Sequence, residues 1–234
     1  MKNHMFLLLV MAAFFSSATS AQEKIPGQKS MLMIQDTFKF IPGSWADYTI
    51  IDKEKNENYR MYIATLERET VKGVPCSWLE IEVEMKDTPV VVTKVLAEET
   101  KDGPGNIIKA IVQVKGYSPF TVPKKYLQGD GQQVGQFETA HIVNRLEQKQ
   151  IQHKGKTISA LVVEAEDSSG AKTAATVSLE LPPIAIYQAE TQDMKMTLND
   201  WGGEAKTRIQ GSPKSFTLWL LEQILNGLST EKKK

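Results

Sequence analysis

Trp78-Leu79-Glu80-Ile81-Glu82-Val83-Glu84-Met85, at residues 78–85, is the stretch of this sequence that decides the fold. Apolar side chains alternate with three glutamates along it. In a strand this period of two puts the apolar side chains on one face and the glutamates on the other, whereas a helix would scatter the glutamates around its circumference. The stretch therefore predicts an amphipathic β-strand with one apolar face and one wet face.

Strands of the same kind are predicted along most of the chain. The turn Lys101-Asp102-Gly103-Pro104-Gly105 joins two of them into a hairpin. The strands follow one another at short spacing, with no helical pattern between them, which is typical of an antiparallel sheet rather than a parallel βαβ sheet. We therefore predict a mainly β domain over residues 42–211, with strands at 59–64, 78–85, 90–96, 106–115, 136–147, 156–166, 173–181, 184–191 and 194–201. The turn-rich stretch 116–135 is expected to be a long loop over a cavity mouth, or a hinge.

The segment before the sheet, residues 22–41, is expected to be a flexible start followed by a short helix. Met31, Ile34 and Phe38 share one helical face, which favours a helix that ends before the turn Pro42-Gly43.

A strongly apolar helix is predicted at the other end, over residues 212–230. Ser212-Pro213 is a typical helix start. Almost the whole circumference is then apolar, so this helix must be buried against another surface. The open face of the sheet is the favoured partner, and another subunit or a membrane surface are the alternatives. Residues 231–234 form a basic tail, which is typical of a solubilising chain end.

Residues 1–21 have the design of a secretory signal peptide. A short basic start precedes the unbroken apolar run Met5–Phe15, and small residues follow up to Ala21. Eleven apolar residues span about 16 Å as a helix, well short of the ~30 Å hydrocarbon layer, so a membrane anchor is disfavoured. We expect cleavage after Ser20 or Ala21 and a mature protein in the periplasm or outside the cell.

Charge and cysteine content exclude several functional classes. The chain has 28 basic and 28 acidic residues, so it has no strong overall electrostatic attraction for nucleic acid or for an anionic membrane. Cys76 is the single cysteine, so an exported chain has no internal disulfide and depends on its core for stability. We expect Cys76 to be a small buried hydrophobe. The alternative, a reactive thiol, lacks an adjacent His or basic cluster.

Motifs for catalysis and for metal or cofactor binding are absent from the sequence. Beyond the signal, His141 and His153 are the histidines, and neither lies in a zinc-binding spacing. The sequence contains no nucleophile elbow, phosphate loop or dinucleotide fingerprint. We therefore predict a non-catalytic protein without a metal or cofactor. An enzyme built on scattered carboxylates, such as a glycosidase, stays open as an alternative.

Several phrases of the chain carry a resemblance to known proteins. They are Pro42-Gly43-Ser44-Trp45-Ala46-Asp47-Tyr48, Gly135-Gln136-Phe137-Glu138-Thr139-Ala140-His141, Leu181-Pro182-Pro183-Ile184, Met194-Lys195-Met196-Thr197-Leu198 and Trp201-Gly202-Gly203-Glu204-Ala205-Lys206-Thr207-Arg208-Ile209. In these phrases the chain resembles a loose group of exported bacterial β-proteins whose folds look like the periplasmic lipoprotein-carrier superfamily. Ala185 stands where the group has a glycine. The resemblance implies a strongly curved antiparallel sheet, an incomplete half-barrel, with a helix across its concave apolar face. Members of the carrier superfamily shelter acyl chains in that hollow.

Two functions follow as expectations. The first is an exported, non-catalytic carrier that binds a lipid or another apolar ligand on the concave apolar face. Its candidate ligand-binding residues are one face of the deciding strand and part of the final helix, namely Leu79, Ile81, Val83, Met85, Phe216, Leu220 and Ile224. The second is an interaction or assembly module of the cell envelope, in which the final helix docks on a partner protein.

Overall fold

The computed structural model describes residues 31–127 and 137–231. It confirms a mainly β chain with a C-terminal helix. The strands are β1 (Met31–Ile34), β2 (Trp45–Asp52), β3 (Glu57–Val71), β4 (Val74–Met85), β5 (Val91–Thr100), β6 (Gly103–Val114), β7 (Phe120–Thr121), β8 (Phe137–His153), β9 (Lys156–Glu166), β10 (Lys172–Val177), β11 (Ile186–Glu190), β12 (Met194–Gly202) and β13 (Lys214–Ser215). A short 3₁₀ helix covers Lys124–Tyr126, and helix α1 covers Phe216–Glu231. The expected signal peptide, residues 22–30, residues 128–135 of the expected loop and the last three lysines lie outside the described residues.

The strands form one sheet in the order β1-β8-β9-β10-β11-β12-β2-β3-β4-β5-β6-β7-β13. All inner neighbours are antiparallel, as the sequence predicts, but the outermost pair at each end is parallel. At one end β1 pairs with β8, and at the other β13 pairs with β7. The sheet is therefore mixed: it is antiparallel as expected except at its two edges, where a distant segment of the chain adds one short parallel strand.

Strand β4 follows the predicted alternation on its apolar side. Leu79 is fully buried, and Ile81 and Val83 pack against the same core. Hairpins set the register on each side, and the β3–β4 turn at Lys72-Gly73 has φ values of 52° and 83°. Positive φ at both turn residues matches the twist of the flanking strands, which keeps the turn to two residues.

The sheet is strongly curled. Gln35, just after β1, donates a hydrogen bond of 2.9 Å from Nε2 to Oδ1 of Asp102, in the turn between β5 and β6. Nine strand spacings separate β1 from β5 in the sheet order, about 43 Å in a flat sheet at ~4.8 Å per spacing. The edge at β1 must therefore curve around until it reaches the β5–β6 turn, while β1 and β13 stay the two ends of an open sheet.

One hydrophobic core fills the concave side of the curled sheet. Strands β1 to β12 all contribute buried side chains to it, and Trp219 of helix α1 belongs to the same cluster. Tyr48 is fully buried there, and its hydroxyl donates a hydrogen bond of 2.9 Å to the carbonyl of Ile186. Burial raises the pKa of Tyr48 far above its usual range. The concave face is thus a filled, mostly apolar core.

The short helix expected around Met31, Ile34 and Phe38 is wrong. Residues 31–34 form strand β1, which pairs in parallel with residues 137–140 of β8. Met33 and Ile34 are both buried although they are adjacent in sequence. The distant strand satisfies the backbone groups of β1, and this tertiary pairing overrides the local helical spacing.

The convex side carries a second, smaller hydrophobic cluster under a crossing segment. We call residues 203–213, which lead from β12 to β13, the strap. The cluster consists of Tyr62, Ala64, Leu66, Cys76, Trp78, Leu96 and Ile111, and Ala205 and Ile209 of the strap pack against it. The Gln210 backbone amide donates to Oε1 of Gln113 on β6 at 2.8 Å. The strap therefore crosses the convex face and leads to β13, which pairs with β7 at the edge of the sheet.

Candidate functional site

Helix α1 begins at the β7 edge of the sheet. Lys214 and Ser215 pair with Phe120 and Thr121, and the helix starts at Phe216 rather than at the expected Ser212-Pro213. Ser215 Oγ accepts a hydrogen bond of 3.4 Å from the Leu218 backbone amide, as a helix-capping side chain does. Lys214 and Ser215, which the sequence assigns to the first helical turn, form strand β13 instead.

Three aromatic rings anchor the helix to the sheet. The Phe120 ring centroid lies 4.4 Å from that of Trp219 and 5.6 Å from that of Phe216. Trp219 is 2% exposed, and Phe216 and Leu220 also pack against the concave core. Aromatic pairs at these separations add about 0.5–1.5 kcal/mol beyond their area burial. Phe216, Trp219 and Leu220 therefore pack against the rim of the curled sheet, and we call these three residues the plug.

The Trp219 side chain has an unsatisfied polar group. Its indole Nε1 is buried and has no hydrogen-bond partner among the described residues. A buried donor without a partner costs roughly 1–3 kcal/mol, and native proteins contain few such groups. Among the described residues, the side chains of α1 that pack on the core therefore include one buried N–H without an acceptor.

The opposite face of helix α1 is also apolar. Successive residues turn by about 100°, so the exposed side chains share an arc of about 120° opposite the plug. They are Leu218, Leu221, Ile224 and Leu225, between 51 and 64% exposed. We call this set the outward face of α1. Glu222 lies off this arc and binds Lys214, with 2.6 Å between Oε2 and Nζ.

The seven candidate ligand-binding residues fall into three groups. Leu79, Ile81 and Val83 share the concave core with Phe216 and Leu220. Met85 lies at the end of β4, where it is 41% exposed, and Ile224 belongs to the outward face. The structure thus brings five of the seven into one core and leaves two apart, and their role in ligand binding stays a prediction.

Met85 lines a shallow surface depression rather than the concave core. The depression has a volume of about 320 Å³ and is lined by Thr49, Asn58, Tyr59, Arg60, Glu84, Met85 and Lys86. Arg60 donates a hydrogen bond of 2.9 Å from Nε to Oδ1 of Asp47. The depression is open to solvent, and most of the wall area that it exposes is apolar, but it lies apart from the concave core.

The tip of the β8–β9 hairpin is fastened to β12. His153 Nε2 lies 3.1 Å from the carbonyl oxygen of Asn199, and the imidazole ring lies 5.3 Å from the ring of Trp201. Lys154 Nζ lies 2.8 Å from Oδ2 of Asp200. These contacts make His153 a clasp between hairpins that are not neighbours in the sheet.

Glu80 departs from the wet face predicted for β4. It is fully buried, although Glu84 on the same face is exposed. Its carboxylate accepts hydrogen bonds from the Thr207 hydroxyl and, at 2.7 Å, from the Arg208 backbone amide. Burial raises the pKa of Glu80 above its usual value, against the opposing effect of these two hydrogen bonds. Glu80 thus fastens the strap to the convex face.

Phe120 and Trp219 are the residues of this site that the sequence did not single out. Phe120 lies between Pro119 and Pro123, within a stretch dominated by turn residues, which masks a two-residue strand. The pattern did predict that α1 is apolar all around. It did not predict that one face would stay exposed.

Cys76 is buried in the convex cluster, and burial raises the pKa of its thiol. Within the described ranges, no group of three or more His, Cys, Asp or Glu side chains is placed to hold a metal ion. Among those residues, too, no helix combines the length and apolarity needed to cross a bilayer.

Comparison of the chain with models of protein families and with curated protein sequences finds no match. The resemblance to lipoprotein carriers therefore stays an expectation drawn from the sequence.

Proposed function

We propose that this protein is an exported, non-catalytic carrier for a lipid acyl chain or a similar apolar ligand. The observation that carries the proposal is the apolar plug of α1 against Phe120. An aromatic plug at the rim of a curled sheet with an apolar concave core is a suitable gate for an apolar ligand.

The proposed exchange replaces the plug with the ligand. The helix is joined to the sheet through β13, a strand of two residues, so it can move without breaking a long ladder. When Phe216, Trp219 and Leu220 leave the rim, an acyl chain takes over their contacts with the core. Each buried methylene contributes about 0.8 kcal/mol, so a long chain offsets the loss of three side chains.

The indole N–H of Trp219, which has no acceptor among the described residues, favours a ligand with an oxygen acceptor. A carbonyl or carboxylate at the head of an acyl chain accepts such a hydrogen bond, whereas a pure hydrocarbon does not. This supports fatty acids and acyl esters over sterically similar alkanes.

A fluorescence titration tests the proposal. A fluorescent fatty acid is added to the chain lacking residues 1–21, to Trp219→Phe and to Leu218→Gln as the matched control on the outward face. We expect saturable uptake by the parent chain, a change in tryptophan emission that Trp219→Phe loses, and no effect of Leu218→Gln. Absence of uptake by all three chains contradicts the proposal.

A second function, an envelope interaction module, is favoured by the outward face of α1. The two functions depend on opposite faces of one helix. Trp219→Ala should alter ligand uptake if the protein is a carrier, whereas Leu218→Gln with Leu221→Gln should remove a docking partner if it is a module. The pair of variants therefore separates the two functions.

A further inference from the structure

We propose that the side-chain hydroxyls of Ser44 and Thr65 bind an uncharged oxygen group of the ligand, a hydroxyl or a carbonyl, inside the concave face. We call these two residues the hydroxyl pair. The inference rests on the proposed carrier function and deepens it, because it names a polar group that the apolar ligand must carry.

The backbone fixes the position of the hydroxyl pair. Residues 41–44 form a turn, in which the Ser44 amide donates a hydrogen bond of 3.0 Å to the Ile41 carbonyl. Gly43 has a φ of 81°, the left-handed value that this kind of turn assigns to glycine. The Gly43 amide donates to the Thr65 carbonyl at 2.7 Å, and the Thr65 amide donates to the Ser44 carbonyl at 2.9 Å. Two residues thus oppose one in a β-bulge, a feature that re-aims side chains and is common next to active sites.

Both hydroxyls are buried, and neither has a hydrogen-bond partner among the described residues. Thr65 is fully buried, and Ser44 is 3% exposed. Thr37, another buried threonine, instead donates a hydrogen bond of 2.7 Å to the Ile34 carbonyl. Buried polar groups without a partner are rare in native proteins, since each costs free energy. Two of them on facing residues therefore point to a bound group that supplies the missing hydrogen bonds.

The hydroxyl pair lies at one end of an apolar row on the concave face. Thr65 is the cross-strand partner of Leu79, which belongs to the concave core. The row continues from Leu79 to Val95 and Ala110 on the next two strands. The Val122 amide donates to the Ala110 carbonyl at 2.9 Å, so the row ends beside β7, where the plug is anchored. Four strand spacings separate β2 from β6, about 19 Å in a flat sheet, and an acyl chain along this row joins the plug region to the hydroxyl pair.

The charges near the hydroxyl pair favour an uncharged group. Arg68, the next basic residue along β3, is paired with Glu99, with 2.5 Å from Nε to Oε1. A carboxylate buried without a basic partner is strongly disfavoured. A ligand hydroxyl can accept a hydrogen bond from one member of the pair and donate to the other, and a carbonyl can accept from both.

Displacement of the fluorescent fatty acid tests the inference with the chain lacking residues 1–21. The competitors are hexadecanoic acid, 1-hexadecanol, whose hydroxyl is at the head, and 16-hydroxyhexadecanoic acid, whose hydroxyl is at the far end of the chain. The variants Ser44→Ala and Thr65→Val each remove one hydroxyl with little change of shape, and Thr37→Val is the matched control. Urea unfolding of each ligand-free chain accompanies the displacement.

We expect one of the two hydroxyl-bearing competitors to bind at least about tenfold more tightly than hexadecanoic acid, and the one that does so shows where the ligand carries its oxygen group. Ser44→Ala and Thr65→Val should each weaken that preference, and Thr37→Val should keep it. Without ligand, Thr65→Val should raise the urea midpoint, because an apolar methyl replaces a hydroxyl that lacks a partner in the described chain. Thr37→Val should lower the midpoint, because it removes a hydrogen bond.

Two results would overturn the inference and leave the carrier function standing. One is uptake of the fluorescent fatty acid with equal displacement by all three competitors, or a preference that neither variant of the hydroxyl pair weakens. The other is a lower urea midpoint for Thr65→Val, since the hydroxyl would then stabilise the ligand-free chain, for instance through an internal water. No uptake of the fluorescent fatty acid by the parent chain would contradict the carrier function itself, and the inference with it.

Discussion

Phe120 and Trp219 lie with their ring centroids 4.4 Å apart, although 99 positions separate them along the chain. Phe120 belongs to the two-residue strand β7, and Trp219 to the first turns of α1. This contact joins the helix to the rim of the curled sheet. It makes one helical face part of the core and leaves the opposite face exposed.

The Trp219 contact predicts a large asymmetry between the two faces of α1. Trp219→Ala removes a buried aromatic side chain and should lower the free energy of unfolding by about 3–5 kcal/mol, or release the helix from the sheet. Leu218→Ala, on the exposed face of the same helix, should change it by less than about 0.5 kcal/mol. Urea unfolding measures both. Equal effects would show that the helix is not anchored through Trp219.

Glu80 predicts a pH-dependent stability. Its pKa in the folded chain is raised above the unfolded value, so its contribution favours the fold below the unfolded pKa and is lost as pH rises through the folded pKa. Glu80→Gln does not titrate, and its amide can keep the contacts with Thr207 and Arg208. We therefore expect the stability of Glu80→Gln relative to the parent chain to increase from pH 4 to pH 7.

Urea unfolding across that range checks the Glu80 prediction, with Glu84→Gln, an exposed position on the same strand, as the control. Glu84→Gln should show no comparable trend. A difference between Glu80→Gln and the parent chain that stays constant with pH would contradict the assignment of Glu80 as the buried titrating group.

Cys76 predicts a protected thiol. The side chain is fully buried in the convex cluster, and burial raises its pKa, so little thiolate is available to react. A thiol reagent should modify native protein at least tenfold more slowly than protein in urea. Rapid modification of the native chain would instead mean that the convex cluster opens easily.

The clasp at His153 predicts a local rather than a global effect. His153→Ala removes the contact with the Asn199 carbonyl and the packing on Trp201, which should cost about 1–2 kcal/mol. Hydrogen exchange should speed up at the β8–β9 tip and stay unchanged in β4. Unchanged exchange at the tip would show that the clasp does not hold the hairpin.

Sequence alone predicts the elements whose pattern is local. The alternation at residues 78–85 predicts β4 because one of its faces meets the core. The turn at residues 101–105 likewise predicts the β5–β6 hairpin, whose strands pair from Val91 to Thr100 against Val114 to Gly103.

Long-range contacts decide the features that sequence alone misses. Strand β1 exists because β8 offers it a parallel neighbour more than 100 positions away, and β13 depends in the same way on β7. Glu80 looks like a surface glutamate until the strap, 127 positions further along, covers it. Each of these features depends on a contact with a segment far away in the sequence. The local pattern of apolar and polar residues carries no information about such a contact.

The candidate site divides in the same way. The apolar character of α1 is visible in its sequence, whereas the division into a plug and an outward face depends on Phe120. Leu79, Ile81 and Val83 are predictable as concave-face residues. The separation of Met85 and Ile224 from them follows from where β4 ends and how α1 is turned.

Native mass spectrometry of the chain recovered under mild conditions from the cells that produce it tests the proposed carrier function most directly. We predict the mass of the chain plus one acyl-containing lipid, and restoration of that mass when a fatty acid is added to delipidated protein. Trp219→Ala should change the bound fraction, while Leu218→Gln should leave it unchanged. The bare chain mass in every preparation, with no uptake of added fatty acid, would contradict the carrier function.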